Sequence, residues 1–251
     1  GENASIMSQN SVAVADNVAY WFGKDKFYMY DGGVKVLPCN VKRYIFDDIN
    51  RDNQQQIFGS TNEGFDEIWW FYPSANSNTN NRYVVYNYVQ QIWYYGTLAR
   101  TAWLDSGIRN FPLAATNIGN LVQHEVGLDD AETGTTAAIT ASITSAQFDL
   151  DDGHKFMLVS RMVPDITFDG STASSPVVNM SLSALQNSGS GFNNPLSESG
   201  NSNGSVTRTA TSPVEAFTEQ IFLRVRGRQV SFKIESTAQG VTWQLGSPRI
   251  D

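Results

Sequence analysis

The side chains able to do chemistry in this chain are carboxylates, one set of closely spaced arginines and several runs of tryptophan and tyrosine. Paired acids cleave glycosidic bonds when one holds its proton near neutral pH and the second lies across the scissile bond. Asp47-Asp48, Asp129-Asp130 and Asp151-Asp152 are instead adjacent in sequence and stand in turn-like, solvated contexts, so they read as turn acids. Calcium takes several oxygens from one short loop of fixed spacing. Asp48-Ile49-Asn50-Arg51-Asp52 starts with the alternate spacing, but Asn53 stands where such a loop needs glycine and Gly59 where it needs a bidentate glutamate. Asp149-Leu150-Asp151-Asp152-Gly153 misses the spacing by one residue. Cys39 is the only cysteine, and His124 and His154 are the only histidines, which removes intrachain disulfides and zinc sites built from several such ligands. Cys39, following Leu37-Pro38, reads as a small buried hydrophobe. Gly189-Ser190-Gly191 has no strand before it and no helix after it, so it is not a phosphate cradle. We expect no catalytic residue, no cofactor and no metal.

Two features remain. Arg224, Arg226 and Arg228 are spaced so that a regular strand places three guanidinium groups on one face, unless Gly227 turns the chain and splits the set. Such a stripe is either solvated and paired within the chain, or meets an acidic neighbour or phosphates. The runs Trp69-Trp70-Phe71-Tyr72 and Trp93-Tyr94-Tyr95, beside Asp66 and Glu67, resemble a sugar-stacking platform. Neighbours in a strand point to opposite faces, however, so such a run more simply covers both faces of a sheet packed on each side.

The elements that carry these residues are short strands. Val12 to Ala15, Val18 to Phe22, Phe27 to Tyr30 and Val34 to Leu37 are separated by Asp16-Asn17, Gly23-Lys24-Asp25 and Asp31-Gly32-Gly33, the strongest short-range hairpin signals. A second meander follows in Glu67 to Tyr72, Arg82 to Tyr88 and Gln91 to Tyr95. The two align loosely, Ala19-Tyr20-Trp21-Phe22 on Ile68-Trp69-Trp70-Phe71, as copies of a propeller blade would. Between them, Val41, Tyr44, Ile45 and Ile49 have helical spacing, so an inserted helix is expected near 41–58. Thr101 to Gly134 reads as mixed and loop-like, with a possible strand over Val122 to Val126. We place a soft boundary at residue 127. Beyond it, the runs Ala137 to Ser145, Phe148 to Leu150, Lys155 to Pro164, Pro176 to Ala184, Ser205 to Thr211, Gln220 to Arg226, Arg228 to Glu235 and Val241 to Leu245 suggest a β-sandwich-like region over 128–251. Gln186 to Asn203, almost all Ser, Gly and Asn, reads as an exposed, mobile hairpin loop with Phe192, Asn193 and Asn194 at its centre. The expected fold is therefore all-β, with incomplete propeller-like blades and a helical insertion ahead of the sandwich-like region.

Composition narrows the function. Lys and Arg total 17 against 25 Asp and Glu, a formal charge of −8, so a basic nucleic-acid-binding surface is not the default. No apolar run approaches the roughly 18 residues that would span a bilayer.

The segments GENASIM (Gly1 to Met7), YWFGKDKFYMYDG (Tyr20 to Gly32) and TNEGFDEIWWFY (Thr61 to Tyr72) point further. So do RYVVYNY (Arg82 to Tyr88), IWYYG (Ile92 to Gly96), RTAW (Arg100 to Trp103), PDITFDG (Pro164 to Gly170), RVRGRQ (Arg224 to Gln229) and LGSPR (Leu245 to Arg249). Together they make the chain resemble the tail nozzle or tail tubular proteins of short-tailed bacteriophages, also described as packaged-DNA stabilisation proteins. The resemblance carries no catalytic signature. It implies a virion protein of the phage tail that forms a cyclic homo-oligomer, commonly a hexamer, whose lumen holds and then passes the genome without reading its sequence. It further implies other tail proteins as neighbours, adaptor or portal on one side and fibres or spikes on the other, and a chain whose remaining blades precede Gly1. The interface residues expected on this reading are Arg224, Arg226 and Arg228 with Phe192, Asn193 and Asn194 of the loop. A host-glycan receptor-binding tail module, using exposed Trp69 or Trp93, is the alternative.

Overall fold

The turn signals close hairpins where they stand. β1 (Val12–Ala15), β2 (Val18–Phe22), β3 (Phe27–Tyr30) and β4 (Val34–Leu37) pair antiparallel in sequence order. Asp16 and Asn17 both take positive φ, 47° and 62°, the left-handed pair whose twist matches the flanking strands of a two-residue hairpin. The computed structural model describes residues 4–150, 152–186 and 209–251. The chain divides into two compact units, Gly1–Val126 and Gly127–Asp251.

In the first unit the expected insertion is a short helix, α1 (Lys42–Asp48), followed by a 3-10 turn over Arg51–Gln56. The helix sends Ile45 into the core and stops where Ile49 turns extended. The second meander is β5 (Phe58–Asn62), β6 (Glu67–Tyr72), β7 (Arg82–Asn87) and β8 (Ile92–Thr97). Every residue of β6 is buried. Ile68, Trp70 and Tyr72 join Phe22, Phe27 and Ile45 in one core, while Trp69 and Phe71 form a second with Val85 and the half-buried Trp103. The strand is thus packed on both sides, as its unbroken apolar run requires.

A third sheet, β9 (Arg100–Leu104), β10 (Leu113–Thr116) and β11 (Leu121–Gln123), occupies part of the stretch that reads as loop-like. The strand expected over Val122 to Val126 ends at Gln123, because Glu125 turns the chain with a φ of 58°. Its central strand sets the small Ala114 and Ala115 opposite Trp103 and Ala102, which leaves little hydrophobic period to read.

The second unit opens with the ladder of β12 (Asp129–Asp130) and β13 (Ala137–Ala138). Its main sheet joins β14 (Ala141–Thr144), β15 (Phe148–Asp149), β19 (Val177–Leu185), β20 (Thr209–Glu215) and β22 (Gln229–Ser236), in the order β14-β22-β19-β20 with β15 also on β22. Three two-stranded ladders complete it. These are β16 (Met157–Val159) on β21 (Val225–Gly227), β17 (Met162–Val163) on β24 (Arg249–Ile250) and β18 (Ile166–Thr167) on β23 (Gln244–Leu245). One face of the main sheet, with Met180, Leu182, Val230 and Ile234, packs in one core with Val159, Met162, Leu223 and Val225. On the other face Ser181 meets Thr211 and Ser183 meets Thr209, each at 2.8 Å, as exposed hydroxyl pairs. The whole is all-β in several small sheets, and no closed barrel or propeller is detected among the described residues.

Trp70 is fully buried and donates its indole N–H to the Ser11 carbonyl at 2.9 Å. Trp70→Ala is expected to cost about 3–5 kcal/mol in urea unfolding. Ser181→Ala, on the exposed hydroxyl face, is expected to cost about 0.5 kcal/mol or less in the same assay.

Candidate interaction surface

Around the three arginines the chain keeps strand alternation over a longer stretch than the hydrogen-bonded strand. Ile221, Leu223, Val225 and Gly227 are buried, while Phe222, Arg224 and Arg226 are exposed. β21 lies on β16 with Leu158 opposite Arg226. Gly227 does not turn the chain; it is the last residue of β21, and the bend falls at Arg228. There the main chain changes partners, with Arg228 N–H donating to Leu185 O at 3.0 Å and Leu150 N–H donating to Arg228 O at 2.9 Å. The crossing is close enough that a Cβ on Gly227 would stand 2.6 Å from Leu185 O and 3.0 Å from Ala184 Cβ. Glycine is therefore a packing requirement here, made by the approach of another strand.

The bend regroups the arginines around a ring. The guanidinium carbons of Arg226 and Arg228 lie 5.4 and 5.0 Å from the centroid of Phe156, which is itself partly exposed just ahead of β16. Contacts of this kind contribute about 0.5–1 kcal/mol each at exposed sites and hold the cations in place. None of the three arginines forms an ion pair with a carboxylate among the described residues. Arg228 Nε is buried without an acceptor among the described residues. Leu158 and Phe222, 61% and 71% exposed, flank the cations with apolar surface. The patch offers planar, bidentate donors and apolar contact together, chemistry that fits carboxylates or phosphates set beside an apolar face. Phe192, Asn193 and Asn194, with the rest of residues 187–208, lie outside the described residues.

The other sequence candidates are occupied in local structure. Asp48 faces Arg82 at 3.5 Å and Asp47 faces Arg43 at 3.5 Å. Asn50 caps the 3-10 turn by accepting from Asp52 N–H at 3.1 Å. Asp130 accepts from Glu132 N–H and Asp152 from His154 N–H, at 2.8 and 2.9 Å, so each holds a turn, while Asp129 accepts from the distant Gly240 N–H at 2.8 Å. Asp151 lies outside the described residues. Cys39 is half-buried against the first core, and burial pushes its thiol up to about 11, which keeps it protonated at neutral pH. Trp69 is 9% exposed and stacks on Trp103 at 5.3 Å. Trp93 is half-buried, with Phe27 at 4.7 Å and Trp70 at 6.0 Å. The aromatic runs are taken up by packing against each other.

Two arrangements were not anticipated from sequence. Phe156 under the arginines had a signal, since continued alternation through Lys155 to Pro164 puts Phe156 and Leu158 on one face. A carboxyl pair, Glu67 and Glu125, meets at Asn62; its only hint is a glutamate opening the otherwise apolar run of β6. No family model matches the chain, and no curated protein matches it.

Because Arg224 and Arg226 are exposed and Arg228 is half-buried, with no ion pair to a carboxylate among the described residues, Arg224→Ala, Arg226→Ala and Arg228→Ala are each expected to change stability by about 1 kcal/mol or less in thermal unfolding. Gly227→Ala is expected to cost about 1–3 kcal/mol, through the clash with β19.

Proposed function

We propose that this chain is a non-enzymatic structural protein of a short-tailed bacteriophage tail, part of an oligomeric nozzle or tail tube that retains the genome and conducts it during ejection. The observation that carries the reading, beyond the sequence resemblance, is the outer face of the first sheet. The register lines up Val12, Val14, Ala19, Trp21, Tyr28, Tyr30, Val34 and Val36 on that face, with no charged side chain among them. Val14, Tyr30 and Val34 are 58%, 49% and 45% exposed. A sheet face of this character belongs to a stack that continues, and successive four-stranded meanders packed face to face are how propeller blades are built. The main sheet of the second unit, with one face buried under short ladders and the other hydroxylated, supports a sandwich-like module in the same protein.

On this reading the partners are further copies of the chain in a ring, a hexamer by resemblance, and the tail proteins above and below. The arginine surface meets an acidic neighbour within that assembly. The genome passes through the lumen without specific recognition, and a net charge of −8 agrees with a conduit that does not grip its cargo. The protein resides in the virion tail. Host-glycan stacking on Trp69 or Trp93 draws no support from side chains packed as these are.

Mass photometry over a concentration series tests the proposal. Ring-sized species that collapse to monomer in a Val14→Asp, Val36→Asp double variant are expected. A wild-type protein that stays monomeric at every concentration would contradict it.

A further inference from the structure

Between the second and third sheets lies a carboxyl pair that neither the core nor the arginine surface uses. Glu67 is 9% exposed, and its Oε2 accepts from Trp69 Nε1 at 2.7 Å. Its Oε1 meets the Tyr94 hydroxyl in a short contact. The buried Asn62 donates through one amide nitrogen to Glu67 Oε2 at 3.4 Å and to Glu125 Oε1 at 3.2 Å. That nitrogen carries two hydrogens, so it satisfies both carboxyls and holds them one amide apart.

Glu125 is the penultimate residue of the first unit, two residues past the end of β11. Its segment is exposed, but its carboxyl reaches inward to Asn62. Its left-handed φ of 58° is uncommon for a glutamate and needs surrounding contacts to persist. His124 supplies others: its N–H donates to Pro112 O at 2.9 Å, its ring lies 4.6 Å from Trp103, and its Nε2 accepts from Arg100 Nε at 2.9 Å. The end of the unit is therefore fastened by the β10–β11 ladder and by these two side chains.

The charges around the pair are mostly of one sign. Asp66 adjoins Glu67, Glu63 lies in the turn between β5 and β6, and Asp105 accepts from Thr61 Oγ1 at 2.6 Å and from Glu63 N–H at 2.9 Å. The phenol of Tyr94 contacts Glu67, and burial, followed by the charge of Glu67, raises the proton affinity of Tyr83. Arg100 supplies a cation to His124 and to Ala99 O. Burial raises the proton affinity of Glu67. Trp69 lowers it, Glu125 raises it, Asn62 lowers it and Asp66 raises it, with a net shift upward. Burial also raises that of Glu125, against the opposing bond from Asn62.

We propose that Glu67, Asn62 and Glu125 form a proton-dependent latch, which holds the Leu121 to Val126 end of the first unit while the pair keeps a proton and loosens it when both carboxyls ionise. The sign follows from linkage. A carboxyl that binds its proton more tightly folded than unfolded stabilises the fold most below the ordinary carboxyl range, and that contribution is lost as pH rises through the raised value.

Hydrogen–deuterium exchange of the intact chain between pH 5 and 8, corrected for intrinsic exchange rates, reads the latch directly. Amides of Leu121 to Val126 are expected to exchange about three- to tenfold faster at the upper end, the scale that one shifted proton affinity supports. Glu67→Gln and Glu125→Gln, which keep the shape and remove the second charge, are expected to flatten that dependence. Should the buried Glu67→Gln variant not fold, Glu125→Gln on the exposed segment still decides. Exchange that is independent of pH in the wild type, that accelerates toward low pH instead, or that keeps its wild-type dependence in Glu125→Gln would overturn the proposal.

Discussion

Burial of β6 on both faces is the constraint on which the first unit depends. A strand has two faces two residues apart in period, so Trp69 and Trp70 must each find a separate layer. Trp70 finds it among Phe22, Phe27 and α1, and Trp69 finds it among Phe71, Tyr83 and Trp103. Both need a sheet or helix on their side, which is why a four-stranded meander precedes β6 and a three-stranded sheet follows it. The glycines obey the same packing. A Cβ on Gly59 would stand 2.9 Å from the Trp70 ring, and one on Gly96 would stand 2.5 Å from the Tyr83 hydroxyl. The layering leaves Val14, Tyr30 and Val34 exposed on the apolar outer face of the first sheet.

The second unit solves a different problem, with aliphatic side chains on one face and hydroxyls on the other. There the informative place is the crossover from β21 to β22. One residue, Gly227, permits the strands to approach, and the next, Arg228, bends the chain so that two guanidinium groups share Phe156. The outward charge is held by packing. Among the described residues none of the three arginines forms an ion pair with a carboxylate, on a protein of net charge −8.

Legibility in the sequence followed the range of the interactions. The first four strands were readable to the residue, because each is bounded by Asp, Asn or Gly turns with local conformational causes. The helix was legible in its spacing but shorter than 41–58, since Ile49 leaves the helical region and a 3-10 turn replaces the rest. The third sheet was not, as alanines and threonines carry almost no period. The sequence pattern ends this strand near Thr211, whereas β20 runs to Glu215 through Pro213. Among the described residues it pairs only with β19, and an edge strand tolerates a proline whose missing N–H faces away from the ladder. At the arginines, exposure on one face was legible, whereas the shared ring and the position of the bend depend on β16 and β19. The Glu67–Glu125 pair joins residues far apart in sequence, one on the second sheet and one just past the third, and no local pattern announces such a meeting.

The central claim is that these layers belong to a larger ring in a phage tail. Single-particle cryo-EM of intact virions, with the chain traced into tail density, tests it most directly. The account predicts repeated copies around an axial channel, with Val14, Tyr30 and Val34 covered by another sheet. Virions whose tails contain no copy of the chain, or copies with that face open to solvent, would contradict it.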